Sequence, residues 1–144
     1  HNDIENTLTL LGYKLREKNI RVQKMFCENF PDVAVYVGEL NQVWTNILDN
    51  AIYALEKNGE IIIETSFDDK HVNVKIVDNG TGIPPEILSR IFDPFFTTKK
   101  VGEGTGIGLD LVSRVIKHHN GEVKVSSAPG RTEFAISIPV NQAK

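Results

Sequence analysis

Two tight turns constrain the fold of this chain more than any other feature of its sequence. Asp68-Asp69-Lys70 and Pro129-Gly130 each lie between two segments in which apolar and polar residues alternate. The segments are residues 60–67 and 71–77 around the first turn, and residues 122–128 and 131–138 around the second. Strands joined by so few residues pair antiparallel, because a parallel crossover needs about a dozen residues or more. A purely parallel sheet is therefore excluded.

Three other segments place apolar residues at helical spacing, which predicts amphipathic helices. They are residues 4–18, with one apolar stripe, residues 38–57, with a broad apolar face, and residues 108–119. Asn58-Gly59 and Asn120-Gly121 follow the last two, and Gly59 suits the left-handed residue that often ends a helix. Two more short strands are predicted at residues 20–26 and 33–37, and a short helix at residues 85–91.

These elements predict an α/β protein of the α+β two-layer type, with a mixed, mainly antiparallel sheet and about three helices on one face. The 144 residues fit a single domain, residues 1–144, and a chain of that size needs no disulfide to hold its core. Cys27 is the only cysteine, and we expect it to be a small buried residue in a strand.

Charge and hydropathy exclude several classes of protein. The net charge is −3 and the sequence has no block of Lys and Arg, which disfavours a nucleic-acid-binding surface. No apolar run approaches the roughly 20 residues that cross a bilayer, and no signal peptide is visible. We therefore expect a cytoplasmic domain that does not itself contact a membrane. Since the first residue is His1 rather than Met, we expect a piece of a longer protein, which can carry a membrane anchor elsewhere.

The first motif that can bind a ligand follows directly on the predicted strand at residues 71–77. Residues 78–84 read Asp-Asn-Gly-Thr-Gly-Ile-Pro. Asp78 would lie at a sheet edge, where its carboxylate can accept a hydrogen bond from an amino group such as that of adenine. Gly80 and Gly82 allow the backbone to approach a flat ring closely. An Asx-type turn that leads into a helix is the structural alternative.

A second glycine-rich motif lies just before the predicted helix at residues 108–119. Residues 102–109 read Gly-Glu-Gly-Thr-Gly-Ile-Gly-Leu. Alternating glycines expose backbone N–H groups beside the positive N-terminus of a helix, and this arrangement favours phosphate binding. The pattern is not a P-loop, because no Gly-Lys-Ser/Thr follows. A flexible linker is the alternative, although a linker needs no glycine at every second position.

Two further groups of polar residues can assist the same ligand. Asn46 and Asn50 lie four residues apart on one predicted helix, so their amide oxygens share a face and can bind a phosphate-bound Mg²⁺. Cations cluster at residues 97–100, Thr-Thr-Lys-Lys, where Lys99 can neutralise a phosphate. Ordinary solvated asparagines and a solvated loop charge are the respective alternatives. His118 and His119 show no zinc-ligand spacing with a cysteine, and their place at a helix end favours structural or surface roles.

Taken together, five segments resemble, in order and with normal spacing, the sequence boxes of the ATP-binding catalytic domain of sensor histidine kinases. The segments are residues 46–51 (asparagine box), 78–84 (first glycine box), 91–99 (phenylalanine box), 104–109 (second glycine box) and 130–134 (final strand motif). That domain belongs to the wider family with a Bergerat ATP-binding fold, which it shares with DNA gyrase, heat-shock chaperone and mismatch-repair ATPases. The Phe-Phe-Thr-Thr-Lys run at residues 95–99 is similar to the nitrogen-regulation-like subgroup.

The resemblance implies a role for each matching residue. Asp78 would bind the adenine amino group with the assistance of Thr132, and Asn50 would hold Mg²⁺ with Asn46 beside it. Residues 92–105 would form a mobile lid over the nucleotide. The implied catalytic residues are Asn46, Asn50 and Lys99, and the implied nucleotide contacts are Asn50, Tyr53, Asp78, Gly80, Gly82, Ile83, Phe92, Thr97, Thr98, Lys99, Gly102, Gly104, Thr105, Gly106, Ile107, Gly108, Leu109 and Thr132.

Two positions depart from the family pattern. Many histidine kinases carry a basic residue three positions after the second asparagine and a tyrosine after that, where this chain has Tyr53 and Ala54. One phosphate contact is then missing, and Lys99 can compensate for it. His119-Asn120-Gly121 stands where the family usually has His-Gly-Gly, which we expect to be harmless.

Asn46 is informative about the reaction, because the resemblance implies a water-activating glutamate at this position in the ATPase branch. An amide cannot act as a general base. We therefore expect ATP·Mg binding with poor hydrolysis, and transfer of the γ-phosphoryl group to a histidine on a separate helical dimerisation domain of a homodimeric parent kinase, with a response regulator downstream. That acceptor is not in this chain, so the isolated chain should not phosphorylate itself. A gyrase- or chaperone-like ATPase, an anti-sigma-factor serine kinase and a non-catalytic nucleotide-sensing module remain the alternatives.

Overall fold

Four helices and five strands lie in the residues that the computed structural model describes, which are 2–28, 37–55, 58–80, 82, 91–92 and 108–139. In chain order they are α1 (Asn2–Leu10), α2 (Gly12–Glu17), β1 (Arg21–Met25), α3 (Val37–Ala54), β2 (Glu60–Phe67), β3 (His71–Asp78), α4 (Gly108–His118), β4 (Glu122–Ala128) and β5 (Arg131–Pro139). The strands form one sheet in the order β1-β2-β3-β5-β4. The β1–β2 pair is parallel and the other three pairs are antiparallel, so the predicted mixed, mainly antiparallel sheet is confirmed.

The core lies between one face of the sheet and a layer of helices. Burial alternates along β2, β3 and β5, as a strand with one covered face requires. α1 packs on α3, α3 packs on α4, and α3 and α4 contact β3 and β4. The fully buried side chains come from both layers, and the largest include Ile47, Leu48, Ile61, Ile76, Ile116 and Ile136. The predicted two-layer architecture is therefore confirmed.

One row of register partners crosses all five strands near one end of the sheet. It consists of Val22, Ile61, Asp78, Thr132 and Ser127. The next row on the same face contains Ile63, Ile76, Phe134 and Val125. On β3, β5 and β4 the helix-facing surface of the sheet is therefore apolar in one row and polar in the next. The polar residues of that row are Asp78, Thr132 and Ser127.

The N-terminal helix is shorter than its sequence pattern predicts. Residues 4–18 form two helices rather than one, with Leu11 between them at φ −90° and ψ 3°. Gly12 begins the second helix, and glycine favours a break because it loses the most backbone freedom in a helix. The apolar stripe still continues across the break, since Ile4, Leu8, Leu11 and Leu15 are all buried.

The two predicted Asn-Gly helix stops work differently from the expectation. Asn58 and Asn120, rather than the glycines after them, take the left-handed conformation, with φ of 68° and 59°. The prediction that Gly59 is the left-handed residue is therefore wrong. Gly59 and Gly121 are needed for close approach instead, because a β-carbon on Gly59 would lie 2.8 Å from Leu55 Cδ2 and one on Gly121 would lie 2.5 Å from the Ser137 carbonyl oxygen.

Cys27 lies just beyond β1 rather than within it, and it is only half-buried, so the expectation of a buried strand cysteine is wrong. Its backbone N–H donates to Thr65 Oγ1 at 2.9 Å, and that hydroxyl lies 3.6 Å from the Cys27 sulfur.

Val37 begins α3, and the rest of the strand predicted at residues 33–37 lies outside the described residues. Nearly all of the helix predicted at residues 85–91 lies outside them as well. Of the described helices, none combines the length and hydropathy needed to cross a membrane.

Candidate functional site

Asp78 is the last residue of β3, and its side chain is 4% exposed. One carboxylate oxygen, Oδ1, accepts a hydrogen bond from the Gly80 backbone N–H at 2.9 Å. Burial raises the pKa of the Asp78 carboxyl group, and the hydrogen bond from Gly80 opposes that rise only in part. Within the described part of the chain no donor reaches the second oxygen, Oδ2. The site therefore holds an acidic group in place while leaving one oxygen to accept a hydrogen bond from a ligand.

Thr132 lies directly across from Asp78 on β5 and is also 4% exposed. Directly opposed residues of antiparallel strands bring their β-carbons to within roughly 5 Å on the same face. The Thr132 hydroxyl is 2.9 Å from the hydroxyl of Ser127 on β4, which is half-buried. Three polar side chains from three neighbouring strands therefore lie side by side at the end of an apolar sheet face. Such a surface suits a flat ring with polar edges.

Ser127 is the residue of this group that the sequence motifs do not identify. The alternation of β4 places it on the same face as Val123 and Val125, which is the signal that could have found it. A serine in a turn-flanking strand has no distinctive pattern of its own. Its role becomes visible only when the register of β4 and β5 is known.

The loop after Asp78 is fixed on both sides. Asn79 Oδ1 accepts from the Glu60 backbone N–H at 2.8 Å, and the Asn79 N–H donates to the Glu60 carbonyl oxygen at 3.3 Å. Gly82 has φ +84°, and a β-carbon there would lie 2.5 Å from the carbonyl oxygen of Ala128. Gly82 of the first predicted glycine motif therefore packs its backbone against the end of β4, beside Ser127. Gly80 is buried, and Ile83 lies outside the described residues.

The two predicted magnesium ligands lie on α3, which packs on β3. Asn46 and Asn50 are both half-buried, and the Asn50 side-chain nitrogen donates to the backbone carbonyl oxygen of Asn46 at 2.9 Å. This contact uses the nitrogen of the amide and directs its oxygen elsewhere. A free amide oxygen is a suitable ligand for Mg²⁺, so the side chain fits the ion. Tyr53, one turn further along α3, is 41% exposed.

Two lysine side chains, from α2 and the residue after it, bind α3 close to these asparagines. Lys14 Nζ donates to Asp49 Oδ1 at 2.7 Å, and this hydrogen bond raises the pKa of the Lys14 amine. Lys18 Nζ donates to the carbonyl oxygens of Ile52 and Leu55 at 2.8 and 2.9 Å. A cation that binds the last carbonyl groups of a helix stabilises its C-terminus. The segment that carries Asn50 is therefore held by Lys14 of α2 and by Lys18, the residue that caps α2.

Phe92, predicted as a nucleotide contact, packs its ring edge-on against Phe134, with centroids 6.5 Å apart. Phe134 belongs to the apolar row next to Thr132, so the start of the predicted lid is anchored beside the candidate site. Leu109 is half-buried and packs against the core at the start of α4, which begins at Gly108. The remaining predicted contacts lie outside the described residues: Thr97, Thr98, Lys99, Gly102, Gly104, Thr105, Gly106 and Ile107.

Comparison with protein families gives one match that covers most of the chain. The family described as histidine kinase-, DNA gyrase B- and HSP90-like ATPases matches residues 37–142. This range contains Asn46, Asn50, Asp78 and Thr132, the four described residues on which the predicted site depends.

Several histidine kinases are relatives of this chain. Sporulation kinase E of Bacillus subtilis is 34% identical over 141 residues, which are 96% of this chain and 19% of that protein. The sensory histidine kinase/phosphatase NtrB of Proteus hauseri is 30% identical over 151 residues, 97% of this chain and 42% of that protein. AtoS of Escherichia coli, a signal transduction histidine-protein kinase, is 44% identical over 104 residues, 71% of this chain and 17% of that protein. The chain thus spans less than half the length of these relatives.

Solved structures share the same architecture. The catalytic domain of the histidine kinase ThkA superposes with a TM-score of 0.88 at 30% identity, over 98% of this chain and 94% of that domain. ThkA in complex with the response regulator protein TrrA matches with a TM-score of 0.82 at 28% identity, over 97% of this chain and 40% of that one. The fold is therefore that of histidine kinase catalytic domains, and the chain belongs to the family of histidine kinase-, DNA gyrase B- and HSP90-like ATPases.

Proposed function

We propose that this chain binds ATP·Mg and supplies its γ-phosphoryl group to a histidine on a separate helical dimerisation domain. The observation that carries the proposal is the buried carboxylate of Asp78, with Oδ1 held by Gly80 and Thr132 directly opposite. A carboxylate in this setting accepts a hydrogen bond from the adenine amino group, and Thr132 and Ser127 offer hydroxyls to the edge of the ring. The apolar row that contains Ile76 and Phe134 supplies the adjacent surface.

Asn50 supports the magnesium part of the proposal. Its amide nitrogen is engaged with the Asn46 carbonyl group, so its oxygen is the atom that a phosphate-bound Mg²⁺ would meet. The ion would offset charge on the triphosphate, while the residues of this chain hold the nucleotide in position. Lys99 and residues 102–108, in the glycine-rich segment ahead of α4, would contact the phosphates. The phosphoryl transfer itself then requires mainly positioning and charge stabilisation.

Asn46 favours transfer over hydrolysis. It occupies the position at which a glutamate would activate water, and an amide cannot accept that proton. A neutral imidazole needs no such base, because it is already a nucleophile. We infer that the acceptor histidine lies on another domain of the parent homodimer and that a response regulator acts downstream. The relative ThkA, which has been solved with the response regulator TrrA, supports the second inference.

We also infer that residues 1–144 form one domain located in the cytoplasm. The packing of α1 and α2 supports the first point, because Ile4, Leu8 and Leu15 belong to the same core as Ile47 and Ile76. The cytoplasmic location rests on the kinase family, whose ATP comes from that compartment.

The proposal is tested by incubating the chain with labelled ATP·Mg, with and without the helical acceptor domain of its parent kinase. Label should appear on the acceptor domain and not on this chain. It should be lost in acid and stable in base, as expected for phosphohistidine. Label that survives acid would favour the serine kinase instead. Steady release of phosphate without transfer would favour the ATPase, and nucleotide binding without either would favour a sensing module.

A further inference from the structure

Three side chains with metal-binding atoms meet where the first turn of α3 packs against the end of α4. His118 Nδ1 lies 2.9 Å from Glu39 Oε1, and the rings of His118 and His119 pack edge to face with centroids 5.7 Å apart. One ligand atom from each of Glu39, His118 and His119 lies within 4.8 Å of the other two. We propose that these three residues form a zinc-binding site.

His119 is already oriented as a metal ligand needs to be. It is 1% exposed, and its Nδ1 lies 2.9 Å from the Val115 carbonyl oxygen. A carbonyl oxygen only accepts, so Nδ1 carries the proton and Nε2 carries the lone pair that a metal ion binds. Metal-ligating histidines commonly donate their other ring N–H in this way, which fixes both tautomer and ring orientation. Burial means that little side-chain entropy is lost when the ion binds.

Glu39 and His118 provide access to the site and the freedom to close around an ion. Their side chains are 36% and 55% exposed. Zinc binds nitrogen and oxygen at about 2.0–2.2 Å in tetrahedral geometry, which sets two ligand atoms roughly 3.4 Å apart, so the three ligand atoms must rearrange around the ion. The two exposed side chains can make that movement while His119 stays in place. A water molecule would complete the four ligands.

The donor set selects the class of ion. Two imidazoles and one carboxylate suit Zn²⁺ and similar transition metals, whereas Mg²⁺ prefers oxygen ligands.

The proposed zinc site is also separate from the proposed nucleotide site. Glu39 is in the first turn of α3 and Asn50 is near its other end, which places them about 16 Å apart along the axis. Zinc at Glu39 and ATP·Mg at Asn50 can therefore be bound at the same time.

The test is a calorimetric titration of the chain with Zn²⁺ alone, repeated in excess Mg²⁺. One equivalent should bind with micromolar or tighter affinity, and Mg²⁺ should not displace it. His118→Ala and Glu39→Gln should each weaken zinc binding at least tenfold. The matched controls are His1→Ala and His71→Ala, and both should retain wild-type affinity. His71 is a half-buried histidine whose Nδ1 lies 3.9 Å from Asp68 Oδ1. Co²⁺ used in place of Zn²⁺ should give the visible absorption of a tetrahedral site in the wild type.

All four variants should bind ATP·Mg as the wild type does, since the nucleotide site is elsewhere. The absence of zinc binding to the wild type would overturn the proposal. Zinc binding that persists at full strength in His118→Ala and Glu39→Gln would overturn it as well, and so would binding that disappears in either control. None of these outcomes bears on the proposed kinase activity, so the two proposals fail independently.

Discussion

Gly82 approaches the backbone of Ala128 so closely that a β-carbon on Gly82 would lie 2.5 Å from the Ala128 carbonyl oxygen. The contact joins the loop after Asp78 to the end of β4, next to Ser127. Gly82 also has a φ of +84°, so glycine is required here for two separate reasons. This contact keeps Gly82 beside the polar end of the sheet.

Replacing Gly82 with alanine should therefore destabilise the chain through both strain and overlap. Gly130 offers a matched control, because it has a φ of +86° but nothing within 4 Å of its β-carbon position. Gly130→Ala should lower the free energy of unfolding by about 1–2 kcal/mol through backbone strain alone. Gly82→Ala should cost about 1–3 kcal/mol more, because the backbone must shift. Urea denaturation measures the free energy of unfolding of both variants. Equal losses of stability would show that the contact of Gly82 with Ala128 is unimportant.

Ser127 should act through Thr132, whose hydroxyl it contacts at 2.9 Å. Ser127→Ala removes one hydrogen-bonding partner, which is worth about 1 kcal/mol, so the dissociation constant for ATP should rise about fivefold. Ser126→Ala is the control, since Ser126 is the exposed neighbour on the opposite face of β4. Calorimetric titration with ATP·Mg distinguishes them. If the two variants bind equally well, Ser127 does not position Thr132 for the nucleotide.

The buried Asp78 carboxylate should lower the free energy of unfolding of the chain at neutral pH, although the same group binds the ligand. Its pKa is raised in the folded protein by burial, so the group favours folding below its unfolded-state pKa, and that contribution is lost as pH rises through the folded-state value. Asp78→Asn removes the buried charge and keeps an oxygen for the Gly80 N–H. The variant should therefore have a higher free energy of unfolding than the wild type at pH 7. Asp69→Asn, at an exposed position, should change stability by less than about 0.5 kcal/mol.

The same shift predicts how ATP affinity depends on pH. Ionisation makes both carboxylate oxygens acceptors, one for the Gly80 N–H and one for the adenine amino group, so ATP affinity should fall as pH decreases through the Asp78 pKa. Because burial raises that pKa, the decline should begin at a less acidic pH than an ordinary aspartate would give. The Asp78→Asn variant should bind ATP more weakly, and its affinity should lack this part of the pH dependence. Titration of the triphosphate affects both proteins alike, so identical pH profiles would argue against Asp78.

The sequence predicted those parts of the structure that depend on local pattern. Both hairpins, the position of Asp78 at the end of β3 and the long helix α3 follow from alternation, turn residues and helical spacing. The features that it missed depend on tertiary contacts. Ser127 joins the site only through its register with Thr132, and Gly59 is needed because it packs against Leu55 rather than for a left-handed conformation.

The histidines show the same limit. His118 and His119 were expected to have structural or surface roles, and His119 is indeed a buried residue bonded to Val115. Glu39 and His118 are 79 residues apart in the chain, and they meet because the start of α3 lies against the end of α4. Spacing along the sequence carries no trace of such a cluster, so only the structure could suggest a metal there.

The central claim, that the Asp78 carboxylate binds adenine, is tested most directly by calorimetric titration of ATP·Mg into the wild type, Asp78→Ala and Asp69→Ala. A hydrogen bond to a charged group is worth about 1.5–3 kcal/mol, so Asp78→Ala should raise the dissociation constant by at least about tenfold. Asp69→Ala, an exposed substitution on the β2–β3 turn, should leave it unchanged. Undiminished ATP affinity in a folded Asp78→Ala variant would contradict the claim.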